Sequence, residues 1–433
     1  MNIRRVTQPL SYLLRGDLRY YYYAKLAKNL ELSRQSVLEL QNRKLQRLIT
    51  HAYNTVPFYR RYFDSNNLRP EDIKSSSDLI KLPVMTKQAI KDNLEELKSS
   101  KHKKLKRITS GGSTGETGVV YKSGYFLQMS HAALLRNFSL TGWLPWHRSL
   151  WIWGAPYEHQ QVKDSLISKI GIFINGRLLL NAYNYSPRDF PKWTGKIKVF
   201  KPEVLYGYSS IILEFAKWCI ANNITLDSIT RVVSTTEKLV DRETIENAFR
   251  CKVYDHYGCR EILSIATECK DGNLHISDDT VIVEQTDEDH LFITALDSFH
   301  FPIIRYKVGD VGKKPDGACP CGLNFSLMNL EIGRVTDNFI CTDNRKISSS
   351  ALSAYISTLN INFVQYQLIQ KSVDTFEVKF VSNSGECDND KQVFIKALEE
   401  YFGKVKVDFI QVEEIPPEPS GKRLLFKCLV KRS

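Results

Sequence analysis

The densest run of reactive side chains is Thr109-Ser-Gly-Gly-Ser-Thr-Gly-Glu-Thr-Gly118. Glycines at 111, 112 and 115 let backbone N–H groups turn inward, and Thr109, Ser110, Ser113, Thr114 and Thr117 add hydroxyls, a combination suited to phosphate oxygens. The Gly-Lys-Ser/Thr ending of a Walker A loop is missing, and a β-like run, Val119 to Tyr121, follows the glycines where a helix would open. Taken alone, the segment reads equally well as a flexible turn. Four later segments carry complementary groups. Tyr257-Gly-Cys-Arg-Glu261 offers an aromatic face and a carboxylate, and Tyr306-Lys-Val-Gly-Asp310 a carboxylate after a glycine turn. Gly333-Arg-Val-Thr-Asp337 offers a guanidinium and an acid, and Pro419-Ser-Gly-Lys422 a lysine beyond a turn.

Cysteine supplies a separate constellation. Cys319-Pro-Cys321 is a tight two-thiolate turn, and Cys269 with His275 lies upstream at the edge of a β-like segment. Three sulfurs and one imidazole suit tetrahedral Zn²⁺, and four protein ligands would make the ion structural. The other six of the nine cysteines read as ordinary thiols, because an odd number in a long chain does not make a disulfide framework.

These groups need a scaffold. Residues 1–100 read mostly as helix, with apolar positions at helical spacing over Val37 to Ala52 and again over Lys87 to Leu97. From 101 to 270, β-rich runs (Ser149 to Trp153, Val204 to Tyr206, Arg231 to Ser234, Lys252 to Tyr257) alternate with helical stretches (Ser209 to Asn222, Asp241 to Phe249), predicting a layered α/β unit with a largely parallel sheet. Between 271 and 333 the runs shorten (His275 to Ile276, Thr280 to Glu284, His290 to Thr294, Ile303 to Tyr306), predicting attached antiparallel structure. After Gly333 the pattern resets. Helices over Ser349 to Thr358 and Asp390 to Phe402 and strands over Phe363 to Gln370, Thr375 to Val381 and Val405 to Glu413 predict a small α+β unit, 334–433.

As an ordered set the five chemical segments resemble those of the adenylate-forming enzymes, most closely the phenylacetate-CoA ligase-like branch, which includes members associated with capsular polysaccharide biosynthesis. Thr55-Val-Pro-Phe-Tyr59, Leu205-Tyr-Gly-Tyr208 and Phe301-Pro-Ile-Ile-Arg305 extend the resemblance over nearly the whole chain. Two positions depart from it: Glu116 stands where many relatives have Lys, and Lys307-Val308 replaces Arg-Thr. The resemblance implies a large N-terminal domain (1–333), a small mobile C-terminal lid (334–433) hinged at Asp337, and conversion of a carboxylate to an acyl-adenylate with release of pyrophosphate.

Such a reaction rests on charge neutralisation and alignment. In that scheme Ser110, Gly111, Gly112, Ser113, Thr114 and Gly115 hold the ATP phosphates, and Glu261 holds Mg²⁺, a hard cation suited to carboxylate. Tyr257 stacks on adenine beside Gly258, Asp310 accepts from the ribose hydroxyls, Arg334 contacts ribose or phosphate, and Glu237 lies next to the adenylate. Lys422 stabilises charge at the α-phosphate, and Thr114 and Glu261 complete the catalytic set. Trp153, Tyr157, Tyr206, Tyr208 and Ser209 fall where the family lines its carboxylate pocket; aromatics there are equally at home in a core. Some members of the branch carry a Cys/His metal site. The acceptor is written nowhere in these motifs: coenzyme A or the phosphopantetheine of an acyl or peptidyl carrier protein is expected, with an amide-forming ligase acting on an amino sugar as the alternative.

Composition bounds the rest. With 42% hydrophobic and 25% charged residues the 433-residue chain is globular. A net charge of +12, partly concentrated in Lys101, Lys103, Lys104, Lys106 and Arg107, favours anionic partners. That charge is the basis of a competing reading, a non-catalytic nucleotide-, nucleic-acid- or membrane-surface-binding protein. No nucleic-acid motif is present, and aromatics do not interleave with the basic run, so no nucleic-acid partner is expected. Neither a membrane-spanning apolar stretch nor a secretory signal occurs in the sequence, so a cytoplasmic location is expected. Leu10 to Leu26, with Arg15, Arg19 and four consecutive tyrosines from Tyr20, reads first as a helix packed on its own domain and second as a weak membrane-surface contact. The assembly state is expected to be monomer or homodimer.

Overall fold

The computed structural model describes all residues except 1–2, 102–103, 111–117, 154–173, 183–186, 237–238, 240, 288, 333–337, 344, 357–358, 360, 362, 364, 383–386, 414, 416–425 and 431–433. The chain opens with helices α1 (Arg4–Leu13), α2 (Arg19–Lys28) and α3 (Arg34–Thr55). In α3 the Ser33 hydroxyl accepts from the Ser36 N–H, capping a free amide. Val37, Gln41, Leu45, Leu48, Ile49 and Ala52 then form one buried stripe. Pro57 starts the next helix, α4 (Pro57–Ser65), at the position where a missing N–H is harmless. Helix α5 (Lys87–Asp92) is shorter than the apolar spacing predicts. The Asn93 side chain donates to the Ala89 carbonyl (2.9 Å) and competes with the helical ladder.

A hairpin of β1 (Leu105–Ser110) and β2 (Gly118–Ser123), in register from Leu105↔Ser123 to Ser110↔Gly118, flanks the glycine-rich segment, and α6 (Gly124–Ser139) follows at once. Among the described residues the main sheet has eleven strands. Its parallel half orders β4 (Arg177–Asn181), β3 (Ser149–Trp153), β5 (Val204–Tyr208), β6 (Arg231–Thr235) and β7 (Val253–Tyr257). Helices α7 (Phe190–Phe200), α8 (Ser209–Ala221) and α9 (Arg242–Phe249) alternate with these strands.

At β7 the direction changes. Strands β8 (Ala266–Glu268) and β9 (Leu274–Ile276) continue the same sheet antiparallel. Beyond them lie β13 (Leu327–Ile332), β12 (Tyr306–Lys313), β11 (His290–Ala295) and β10 (Val281–Gln285). The antiparallel structure expected as an attachment is thus continuous with the parallel half. Strand β12 begins at Tyr306, later than the apolar run Ile303 to Tyr306 predicts, because Arg305 takes a left-handed φ of 50° that breaks extended pairing.

The C-terminal part is α+β. A small hairpin, β14 (Asn338–Ile340) with β15 (Lys346–Ser348), leads into α10 (Ser349–Ile356). A four-stranded sheet follows, ordered β18 (Lys406–Gln411), β17 (Thr375–Val381), β16 (Gln365–Ser372), β19 (Phe426–Cys428), with α11 (Asp388–Phe402) inserted between β17 and β18 in sequence. Phe339 packs on Phe376, Phe402 and Phe426, joining hairpin, sheet and helix in one core. Lys346 pairs with Glu214 of α8.

Candidate active site and Cys/His centre

The glycine-rich hairpin and the turn after β7 are tied together by two cations. On β2, Val120 and Lys122 share the inward face, and both are 2% exposed. Lys122 Nζ donates to the Arg260 carbonyl (2.7 Å), and the Arg260 guanidinium donates onward to the Thr109 carbonyl (2.8 Å). Burial pushes the Lys122 ammonium down to about 8, against the raising influence of Cys259 and Glu261. The turn cannot admit a side chain at 258, since a Cβ on Gly258 would lie 2.2 Å from the Leu263 carbonyl oxygen.

Glu261, 3% exposed, accepts from the Tyr306 hydroxyl (2.9 Å) at the start of β12. Tyr257 donates its hydroxyl to Asp310 Oδ2 (2.9 Å), so the end of β7 and the middle of β12 present ring and carboxylate as a pair. Four of the predicted groups, Tyr257, Gly258, Glu261 and Asp310, thus come together at the point where the sheet changes direction, beside the strand ends that flank the glycines. Ser110 ends β1. Gly111, Gly112, Ser113, Thr114, Gly115, Tyr157, Glu237, Arg334, Asp337 and Lys422 lie outside the described residues.

The aromatic residues form a separate cluster on the parallel half. Trp153 stacks on Tyr206 (centroids 5.6 Å apart, 14° between planes) and approaches Tyr208 (4.9 Å). Tyr206 is also enclosed by Phe138, Trp143 and Trp151, and burial raises its pKa. Ser209, the first residue of α8, is 1% exposed, and its hydroxyl has no partner among the described residues. These groups stand at the C-terminal ends of β3 and β5, the edge of a parallel sheet where ligands characteristically bind.

Cys269, His275, Cys319 and Cys321, grouped in the sequence by ligand type, converge, with all four ligand atoms within 4.8 Å of one another. Cys269 and Cys319 are 3.7 Å apart, and Cys321 Sγ lies 3.4 Å from His275 Nε2. His275 Nδ1 sits 3.1 Å from the Phe325 carbonyl, a contact that places the proton there and turns Nε2 toward the sulfurs. Burial works against the Cys319 thiolate, but hydrogen bonds from the Cys321 backbone and from the Cys321, Cys269 and Asn273 side chains hold its pKa below the ordinary thiol range. Burial pushes Cys321 up to about 12. Three sulfurs and one imidazole match the donor preference of Zn²⁺. The centre clips the β8–β9 hairpin to the loop before β13, at the opposite end of β8 from Glu261.

Spacing alone did not single out Lys122 or Arg260 as site residues, or Tyr306 as the partner of Glu261. Period-two alternation in β2 carried the signal for Lys122, since it places the lysine on the face of Val120.

A half-parallel, half-antiparallel sheet with a hairpin flanking the glycines, two tyrosine-bound carboxylates at its direction change and a small C-terminal α+β unit shares its fold with solved adenylate-forming ligases. Comparison with known proteins agrees. The solved structure of 2-hydroxyisobutyryl-CoA ligase with 2-HIB-AMP and CoA in the thioesterification state shares the fold (TM-score 0.59, 16% identity, 93% of this chain and 92% of that one). Protein CapK of Staphylococcus aureus is 26% identical over 372 residues, 83% of this chain and 81% of that protein. Phenylacetate-coenzyme A ligase of Thermus thermophilus is 23% identical over 371 residues, 80% and 81% of the two chains. The CapK C-terminal domain family matches residues 339–428. By sequence the chain is thus similar to CapK and to phenylacetate-coenzyme A ligases, and by fold to a solved acyl-CoA ligase.

Proposed function

We propose that the chain activates a small carboxylic acid with ATP, forming an acyl-adenylate and releasing pyrophosphate, and then transfers the acyl group to the thiol of coenzyme A. The observation that carries this reading is the junction of the glycine hairpin, Glu261 and the Tyr257–Asp310 pair, held by Lys122 and Arg260. Relatives named phenylacetate-coenzyme A ligase support thioester formation as the second half-reaction.

In this reading the β1–β2 segment with Thr114 orients the phosphates, Tyr257 presents its ring to adenine, and Asp310 accepts from the ribose. Glu237 and Arg334 contact the adenylate, and Lys422 comes in from the 334–433 unit, rotating about Asp337, to stabilise charge on the α-phosphate. The buried carboxylate of Glu261 fits Mg²⁺, which would supply charge neutralisation on the phosphates. Trp153, Tyr157, Tyr206, Tyr208 and Ser209 line the acid pocket. Zn²⁺ at Cys269, His275, Cys319 and Cys321 would fasten the β8–β9 hairpin. We assign the acyl group to surface polysaccharide assembly on the resemblance to that part of the branch.

The test is acid-dependent exchange of labelled pyrophosphate into ATP over a panel of aryl, acyl and amino acids, with Lys422→Ala alongside. Exchange that needs one acid class and collapses in the variant is expected. Folded protein that binds no ATP would refute the reading. Release of AMP on adding coenzyme A, compared with an amine acceptor, then separates thioester from amide formation.

A further inference from the structure

Helix α1 is amphipathic in the reverse of the usual sense. Ile3, Val6, Leu10, Leu13 and Leu14 recur at spacings that put them on one face, and they are 50–79% exposed. The polar face is the one that packs inward. Gln8 is 2% exposed, donates to the Asn175 carbonyl (2.6 Å) and accepts from the Tyr20 hydroxyl (3.0 Å). Arg4 donates to the Trp146 carbonyl (3.0 Å), and Arg5 lies 4.4 Å over the Trp146 ring. These contacts fix the rotation of the helix, so the apolar stripe is held in solvent. Among the other described residues the exposed large apolar ones, such as Ile80, Val199 and Ile410, are scattered.

The charge around the stripe selects its partner. From Arg4 to Lys28 the chain has Arg4, Arg5, Arg15, Arg19, Lys25 and Lys28 against Asp17 alone, and Arg5, Arg15, Lys25 and Lys28 are exposed. Self-association through this face would set like charges against one another, whereas an anionic bilayer satisfies both the stripe and the cations. No helix among the described residues is long and apolar enough to cross a membrane, so the contact would be interfacial. We propose that α1 and its turn into α2 dock the protein on an anionic membrane surface, with Ile3, Val6, Leu10, Leu13 and Leu14 in the headgroup–acyl boundary.

Co-sedimentation of the full chain with phosphatidylcholine vesicles, with and without about 30% phosphatidylglycerol, tests this proposal. The wild type is expected to partition onto the anionic vesicles at least about tenfold more strongly, and less so as salt rises. Val6→Asp/Leu10→Asp, at exposed positions, is expected to lower that partition about tenfold or more with an unchanged melting temperature. Arg15→Glu lowers it without touching the stripe. Equal binding of the double variant and wild type, or no binding to anionic vesicles, overturns the proposal. So does wild-type self-association without lipid that the double variant abolishes, which would make the face a contact between copies.

Discussion

Lys122→Met removes a buried cation while keeping most of its volume. Burial brings the ammonium pKa from 10.5 down to about 8, so the charged form is disfavoured in the fold by roughly 3 kcal/mol. The folded pKa lies below the unfolded one, so between pH 8 and 10.5 the unfolded chain binds more protons and wild-type stability rises with pH. Below pH 8 the full destabilisation is present. Losing the bond to the Arg260 carbonyl costs the variant about 1–3 kcal/mol at every pH. Urea melts should therefore find the variant equal to the wild type or more stable by up to ~2 kcal/mol at pH 7. By pH 10.5 the difference should have swung by ~3 kcal/mol in favour of the wild type. Pyrophosphate exchange should move the other way at pH 7, falling at least about tenfold as the Arg260–Glu261 turn loses its anchor. A stability difference that does not change with pH would refute the assignment of a strained cation, and unchanged exchange would refute its positioning role.

Tyr306→Phe deletes the hydroxyl that holds Glu261 Oε1, and the Mg²⁺ concentration giving half-maximal exchange should rise about tenfold with little change in melting temperature. In Cys321→Ser the zinc measured per chain by elemental analysis should drop from near one to well below it, with earlier thermal unfolding. Burial and then Glu268 raise Asp255 to about 7, so the folded state keeps a proton that the unfolded chain loses above about pH 4. Wild-type stability should fall as pH climbs from 4 to 7, whereas Asp255→Asn, followed by denaturant melts from pH 4 to 8, should flatten the slope and gain up to ~4 kcal/mol at pH 8.

Elements with strong local periods were legible in the sequence. Thr375–Val381 was predicted to the residue, and α3 and the parallel strands β3, β5, β6 and β7 within a few, because apolar spacing and caps act within one or two turns, whereas β4 was not foreseen. Glu261, Tyr257 and Asp310 were legible as candidates through segment order, and the Cys/His set through ligand type. Their partners were not. Tyr306 reaches Glu261, and Arg260 reaches Thr109, across 45 and 151 residues, distances over which one sequence encodes no pairing. Gln8 shows the same limit: its burial depends on Asn175 and Tyr20, so the outward turn of the α1 apolar face follows from tertiary contacts alone.

The link between hairpin and turn has a consequence for redesign. Both acceptors, the Thr109 and Arg260 carbonyls, belong to the main chain, so their side chains do not specify the anchorage on the accepting side. Saturation libraries at position 109 can vary the chemistry offered to a nucleotide while the hairpin stays moored. Positions 122 and 260 must be held constant, and activity selections on such libraries would sample loop chemistry separately from loop placement.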